Sequence, residues 1–136
     1  MKRKRAGVVI TCLSKDKVLL IYRKNSNGEY YVIPGGGLED NETYCDAAKR
    51  ELNEELGIQL ANLVKLGTIE TETSIEKYFI SIVNDIFEVK ILGEERERMS
   101  EDNIYVPIWI DIKIIKSLTL FPDEIKDALH NYLDKY

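Results

Sequence analysis

A proline and three consecutive glycines, Pro34-Gly35-Gly36-Gly37, interrupt this chain after the short run Tyr30-Tyr31-Val32-Ile33. Proline fixes φ and withholds an N–H, and glycine weakens both helix and strand interiors, so one regular element must end here. Helix-favouring residues then run over 43–56, and Gly57 supplies a C-terminal stop. What precedes the break is β-rich. Residues 7–13 and 18–22 are apolar and β-branched, and the turn at 14–17 between them predicts a hairpin. Asn25-Ser26-Asn27-Gly28 marks a second turn before a short strand at 30–33. Downstream, strands are expected at 63–71, 78–89 and 106–110, with a charged loop at 93–103. A final helix is expected over 122–134, where Ile125, Leu129 and Leu133 recur every four residues. Strands with one helix mid-chain and one at the end predict an α/β fold, a mixed β-sheet between helices.

No linker, repeat or low-complexity tract divides the 136 residues, so a single domain over 1–136 is expected. With 19 Lys+Arg against 24 Asp+Glu the formal net charge is −5, which argues against a generic nucleic-acid binder. Two cysteines, Cys12 and Cys45, cannot make a disulfide framework, and one histidine, His130, leaves little for a nucleophilic triad. The opening Met1-Lys2-Arg3-Lys4-Arg5 before an apolar run imitates an export signal, but the run is short and meets Lys15-Asp16-Lys17 without a small-residue cleavage pattern. It reads as a first strand with a basic lead-in, and no window reaches the roughly 18–20 apolar residues of a membrane span. A cytoplasmic location with reduced cysteines is the expectation.

The helix after the glycines carries Arg50, Glu51, Glu54 and Glu55. At 3.6 residues per turn the three carboxylates lie within about 100° of one another. Tyr44, Cys45, Ala48, Leu52 and Leu56 fall on the adjoining stripe, where they can pack onto a sheet, and Ala47 is expected to leave the acidic side open. Hard divalent cations such as Mg²⁺ take oxygen ligands together with substrate phosphates. A cluster of three Glu beside bare glycine backbone therefore suits phosphoryl chemistry. An ordinary solvated acidic face is the competing explanation, since like charges at i, i+4 cost only about 0.2–0.5 kcal/mol.

The spacing decides between them. Gly36, five residues, Glu42, seven residues, then Arg50-Glu51-Leu52-Asn53-Glu54-Glu55-Leu56-Gly57-Ile58 reproduces the Nudix box. The chain resembles a Nudix hydrolase, and the resemblance is looser beyond about Val89. It implies an α/β/α sandwich and Mg²⁺-dependent (or Mn²⁺-dependent) cleavage of a nucleoside diphosphate linked to another moiety. By position it implies Glu51, Glu54 and Glu55 as metal carboxylates with a backbone carbonyl near Gly35, and Gly36 and Gly37 beside the substrate. Arg50 would orient the carboxylates, and Glu42 would brace the loop from further out. Arg23 is the candidate cation for the leaving phosphate. Asn41 stands where many members carry glycine. Asn tolerates the left-handed region, so the turn is expected to survive.

The general base is open among Glu94, Glu95, Glu97 and Glu101 of the charged loop, with Glu95 preferred, or falls to Glu54 or Glu55. Tyr22, Tyr30, Tyr31, Tyr78, Trp109 and Phe121 are available for an aromatic wall, each with a core role as its alternative. His130 is expected as an exposed helical residue. A nucleoside triphosphate, ordinary or oxidised, cleaved to monophosphate and pyrophosphate is the favoured substrate. Dinucleoside polyphosphates, ADP-ribose, RNA ends and a non-catalytic nucleotide-sensing module are the alternatives. The expected partner is a small nucleotide-type molecule, neither membrane nor nucleic acid, and the resemblance admits a homodimer.

Overall fold

The apolar runs near the N-terminus become the two central strands of the fold. In the computed structural model, which describes residues 1–135, these are β1 (Arg3–Cys12) and β2 (Lys17–Asn25). Then follow β3 (Gly28–Val32), β4 (Gly35–Gly37), α1 (Tyr44–Leu56), β5 (Val64–Glu70), β6 (Ser74–Val83), α2 (Gly93–Arg98) and β7 (Ile104–Asp111). A 3₁₀ helix (Ile112–Ser117), β8 (Leu120–Phe121) and α3 (Ile125–Lys135) complete the chain. The strands form one mixed eight-stranded sheet of order β5-β6-β1-β2-β3-β8, with β4 added to β1 and β7 to β2.

Because side chains alternate across a strand, a run that is apolar at every position must be covered on both faces. Val8 and Ile10 of β1 and Leu19 and Ile21 of β2 pack with Ala48, Leu52 and Leu56 of α1. Val9, Val18 and Leu20 face the other way and pack with Ile125 and Leu129 of α3. The expected sandwich of a sheet between helices is what the chain forms. Among the described residues no helix is long and apolar enough to cross a membrane.

The expected β1–β2 hairpin is present only at its turn end. The two strands pair at Ile10↔Leu19 and Thr11↔Val18 and then part. Residues 5–7 of β1 take Gly35–Gly37 as partner, while β2 pairs with β3 from Ile21↔Val32 to Asn25↔Gly28. The other edge of β1 is filled by a ten-residue parallel pairing with β6, from Arg3↔Ser74 to Cys12↔Val83. The result is a fork between β1 and β2, bridged at its base by β3, Pro34 and β4.

Several sequence-based boundaries move. The basic lead-in at Arg3 to Arg5 belongs to β1, because β4 and β6 flank it on both edges. The strand expected over 78–89 is Ser74–Val83, ending where its pairing with β1 ends. Part of the charged loop at 93–103 is helical, as α2. Strands β4 and β8 and the 3₁₀ helix are additions to the predicted set.

Candidate functional site

Two of the three glycines sit against close neighbours, Gly35 against backbone and Gly36 against a side-chain carboxylate. A Cβ on Gly35 would come within 2.2 Å of the Ala6 carbonyl oxygen, because β4 lies tightly against β1. A Cβ on Gly36 would meet Glu51 Cδ at 2.4 Å. Gly37 has room, its nearest atom being the Lys4 carbonyl oxygen at 3.7 Å. Bare backbone at Gly36 therefore lets the Glu51 carboxylate lie directly on the loop.

The loop is tied to α1 through Arg50. Its guanidinium takes Glu42 bidentately, Nε to Oε2 at 2.7 Å and Nη2 to Oε1 at 3.0 Å. Nη2 also donates to the Gly37 carbonyl at 2.9 Å, and Nη1 to Glu51 at 2.9 Å and Glu54 at 3.2 Å. This planar, permanently charged fork suits so many acceptors at once. The same bonds hold the Glu42 carboxyl below its usual range and push Arg50 further above its own. Asn41 adopts φ 65, so the left-handed turn is kept without glycine. Thr43 caps α1 by accepting from the Asp46 N–H at 3.0 Å, and Gly57 closes it at φ 67. Ala47 is fully buried against the sheet rather than leaving the acidic side open, since the inward stripe of α1 is wider than expected.

Glu55 is the unusual carboxylate. It is 7% exposed and its Oε1 has no hydrogen-bond partner. Burial pushes its pKa up to about 8, helped by the negative charges of Glu95 and Glu51 and opposed by the backbone of Gly35 and by Arg5. Burial also raises Glu51, against the pull of Arg50. Glu95 arrives from a distant part of the chain because α2 is docked on α1. The Leu92 N–H donates to the Glu55 carbonyl at 2.7 Å, and Gly93, at φ 69, brings its Cα close enough that a Cβ would lie 3.1 Å from the Glu54 carbonyl oxygen.

These groups surround a cavity of about 420 Å³ in the fork between β1 and β2. Gly35, Gly36, Gly37, Glu51, Glu55, Glu94 and Glu95 line it together with Arg3, Arg5, Arg23 and Tyr105. Glu54 faces the adjoining groove with Arg50 and Glu39. Arg23 Cζ lies over the Tyr105 ring, 3.6 Å from its centroid, and Arg23 Nη2 donates to the Asn103 side chain at 2.8 Å.

A family model of the NUDIX domain matches residues 1–129. The chain belongs to the Nudix hydrolase family. It is 30% identical over 145 aligned positions to the RNA pyrophosphohydrolase of Pelagibacter ubique (strain HTCC1062), covering 96% of this chain and 87% of that protein. A shorter match, 41% over 66 residues, reaches the 8-oxo-dGTP diphosphatase of Proteus vulgaris, covering 47% of this chain and 57% of that one. A C. elegans Ap4A hydrolase in binary complex shares the fold with a TM-score of 0.70 at 20% identity, covering 96% of both chains. The MutT protein from Methanosarcina mazei Go1 gives 0.69 at 19%, covering 98% of this chain and 94% of that one.

Within this Nudix chain, Gly35, Gly36, Gly37, Arg23, Glu51, Glu55 and Glu95 meet at one cavity, with Glu54, Arg50 and Glu42 behind it. Among the described residues, no three acidic, His or Cys side chains are gathered into a set that would close on an ion as they stand. Arg50 instead holds the Glu51 and Glu54 heads. Of the other loop glutamates, Glu94 reaches the cavity, whereas Glu97 and Glu101 line neither it nor the groove.

The expected aromatic candidates do not line the cavity, although the Tyr30 ring centroid stands 5.7 Å from Arg23 Cζ. Tyr78 is buried in the α3-side core, and Trp109 Nε1 donates to the Phe87 carbonyl at 2.8 Å. Tyr22 packs on Tyr31, and Tyr30 on Phe121. Tyr105 is the aromatic residue of the cavity. Arg3 and Arg5 also lie outside the expected set, since a basic lead-in to a first strand does not by itself mark a site. Their spacing of two, continuing the alternation of β1, was the available signal. His130 is exposed on α3, as expected.

Proposed function

We propose that this Nudix enzyme is a divalent-metal-dependent pyrophosphohydrolase that cleaves a nucleoside 5′-triphosphate, ordinary or oxidised, to the monophosphate and pyrophosphate. The observation that carries the reading is one cavity in which Glu51, Glu55, Glu94 and Glu95 and the arginines Arg3, Arg5 and Arg23 surround bare glycine backbone. A polyphosphate with its counter-cation needs both signs of charge. Glu51, Glu54 and Glu55, with the Gly35 carbonyl, would hold Mg²⁺ or Mn²⁺. The donor set fits a hard cation, because it is all oxygen and includes a buried carboxylate oxygen without a partner beside like charges. Bound there, such an ion neutralises phosphate charge and makes water more acidic.

The chain's own groups take the remaining roles. Arg50 fixes the orientation of the Glu51 and Glu54 carboxylates, and Glu42 holds Arg50 in place. Glu95 accepts the proton of the attacking water, with Glu54 or Glu55 as the alternative base. Arg23, held over Tyr105, takes the leaving phosphate, and Arg3 and Arg5 take phosphate oxygens beside it. Free thiols at Cys12 and Cys45 suit a reducing, cytoplasmic setting.

A second reading, pyrophosphate removal from the 5′ end of RNA, is favoured by the long match to an RNA pyrophosphohydrolase and by the arginines of the β1 lead-in. The test is product release with Mg²⁺ from ordinary and oxidised nucleoside triphosphates, ADP-ribose, dinucleoside polyphosphates and 5′-triphosphorylated RNA, beside Glu54→Gln. Turnover of free triphosphates that is lost in the variant supports the first reading, and preference for RNA the second. Silence with both Mg²⁺ and Mn²⁺, while a nucleotide still binds, overturns catalysis in favour of a sensing module.

A further inference from the structure

A second cavity, of about 410 Å³, lies against α3 and shares no lining residue with the fork. Ile115 and Leu129, both buried, form its floor with Leu133. Lys15 from the β1–β2 turn and Lys113 and Lys116 from the 3₁₀ helix stand around it. Among the described residues none of these three ammonium groups has an ion-pair or hydrogen-bond partner. Lys126, His130 and Asp134 complete its rim, so the three free ammonium groups face a single lining carboxylate. Lys126 Nζ donates to the Leu118 carbonyl at 2.6 Å and pairs with Asp123 at 2.9 Å, and Asp134 faces His130 at 3.4 Å. Lys15 also sits at φ 59, the left-handed region that lysine rarely adopts.

Three unpaired cations from two separate segments around one apolar cleft are unexpected in a chain of net charge −5. Small-molecule sites of about 300–1,000 Å³ have this make-up, an apolar lining with a few polar groups that fix orientation. We infer that this cavity binds a small amphipathic anion, its apolar body against Ile115, Leu129 and Leu133 and its carboxylate or phosphate held by Lys15, Lys113 and Lys116. The ligand class differs from that of the fork, whose wall is made largely of arginines, carboxylates and glycine backbone. A cleft bounded by a turn, a 3₁₀ helix and α3 suits a small molecule better than an extended peptide.

The test titrates the whole chain with decanoate, followed by amide NMR, with decanol and penta-glutamate as further probes. Saturating shifts are expected at Ile112, Lys116, Leu129 and Leu133, with Gly35–Gly37 unmoved. The double variant Lys113→Glu/Lys116→Glu should bind decanoate about tenfold more weakly, with melting temperature and hydrolysis unchanged. Lys113→Gln/Lys116→Gln should show a smaller loss, and covers the case in which charge reversal disturbs folding. The inference is overturned by absent shifts at the cleft, by equal binding of decanol, by unchanged affinity in both double variants, or by penta-glutamate binding in place of decanoate.

Discussion

Glu55→Gln should stabilise the metal-free protein, and increasingly so as pH rises. The native carboxyl is pushed from an ordinary 4.5 up to about 8, chiefly by burial and then by Glu95 and Glu51. Below pH 4.5 the group is protonated in both states and does not bias folding. Between 4.5 and 8 the unfolded chain has lost this proton while the native state keeps it, so stability falls as pH rises. Above 8 the native carboxyl ionises too, and the whole penalty is present. At about 1.4 kcal/mol per pH unit the ceiling is ~5 kcal/mol. Relaxation and water entry reduce this, so about 2–3 kcal/mol is the expected size. Urea unfolding of wild type and Glu55→Gln in EDTA at several pH values from 5 to 8.5 measures it. The difference between the two proteins should open steadily across that window, which cancels the contribution of other titrating groups. Adding Mg²⁺ should then restore the wild type at high pH more than the variant, because a ligand that binds only the native state stabilises it. A pH-independent difference, or a variant less stable at pH 8, would refute the burial argument.

The glycines separate sharply. Gly36→Ala forces Glu51 off the loop and should lower kcat by about 10–100-fold, whereas Gly37→Ala should stay near wild type in the same steady-state assay. Arg50→Lys keeps the charge but not the fork to Glu42 and the Gly37 carbonyl. Chemical denaturation should show a loss of about 1–3 kcal/mol, with kcat reduced together with it. Asn41→Val places a β-branched residue at φ 65 and should cost about 1–2 kcal/mol, while Asn41→Gly should be neutral or slightly stabilising in the same melt.

What was legible in the sequence is what depends on neighbours along the chain. The α1 helix has its cap at Thr43, its stop at Gly57 and its carboxylates at fixed spacing, all within fifteen residues. The double-sided burial of β1 and β2 follows from unbroken apolar runs. By contrast β4 has no side chains with which to show a period, and it is a strand only because β1 lies against it. Helix α2 is six residues long with no buried face, so no stripe could announce it, and residues 93–103 read as loop.

The half of the cavity facing α1 was hidden for a related reason. Arg3 and Arg5 matter only because β6 and β4 clamp the start of β1, and Tyr105 only because β7 runs beside β2 and carries it under Arg23. Both are pairings between segments far apart in sequence; the alternation of Arg3 and Arg5 along β1 is the one local trace, and Tyr105 leaves none. The same logic explains how Glu95 reaches Glu55. A backbone hydrogen bond from Leu92 to the end of α1, and a glycine at Gly93 that allows close approach, set α2 against the carboxylates. Substituting Gly93 by Ala therefore acts at a distance. It strains φ 69 and presses on the Glu54 carbonyl, so α2 and Glu95 should move away together. If Glu95 is the base, kcat should fall with KM little changed, and the alkaline shift of Glu55 should shrink as one of its negative neighbours withdraws.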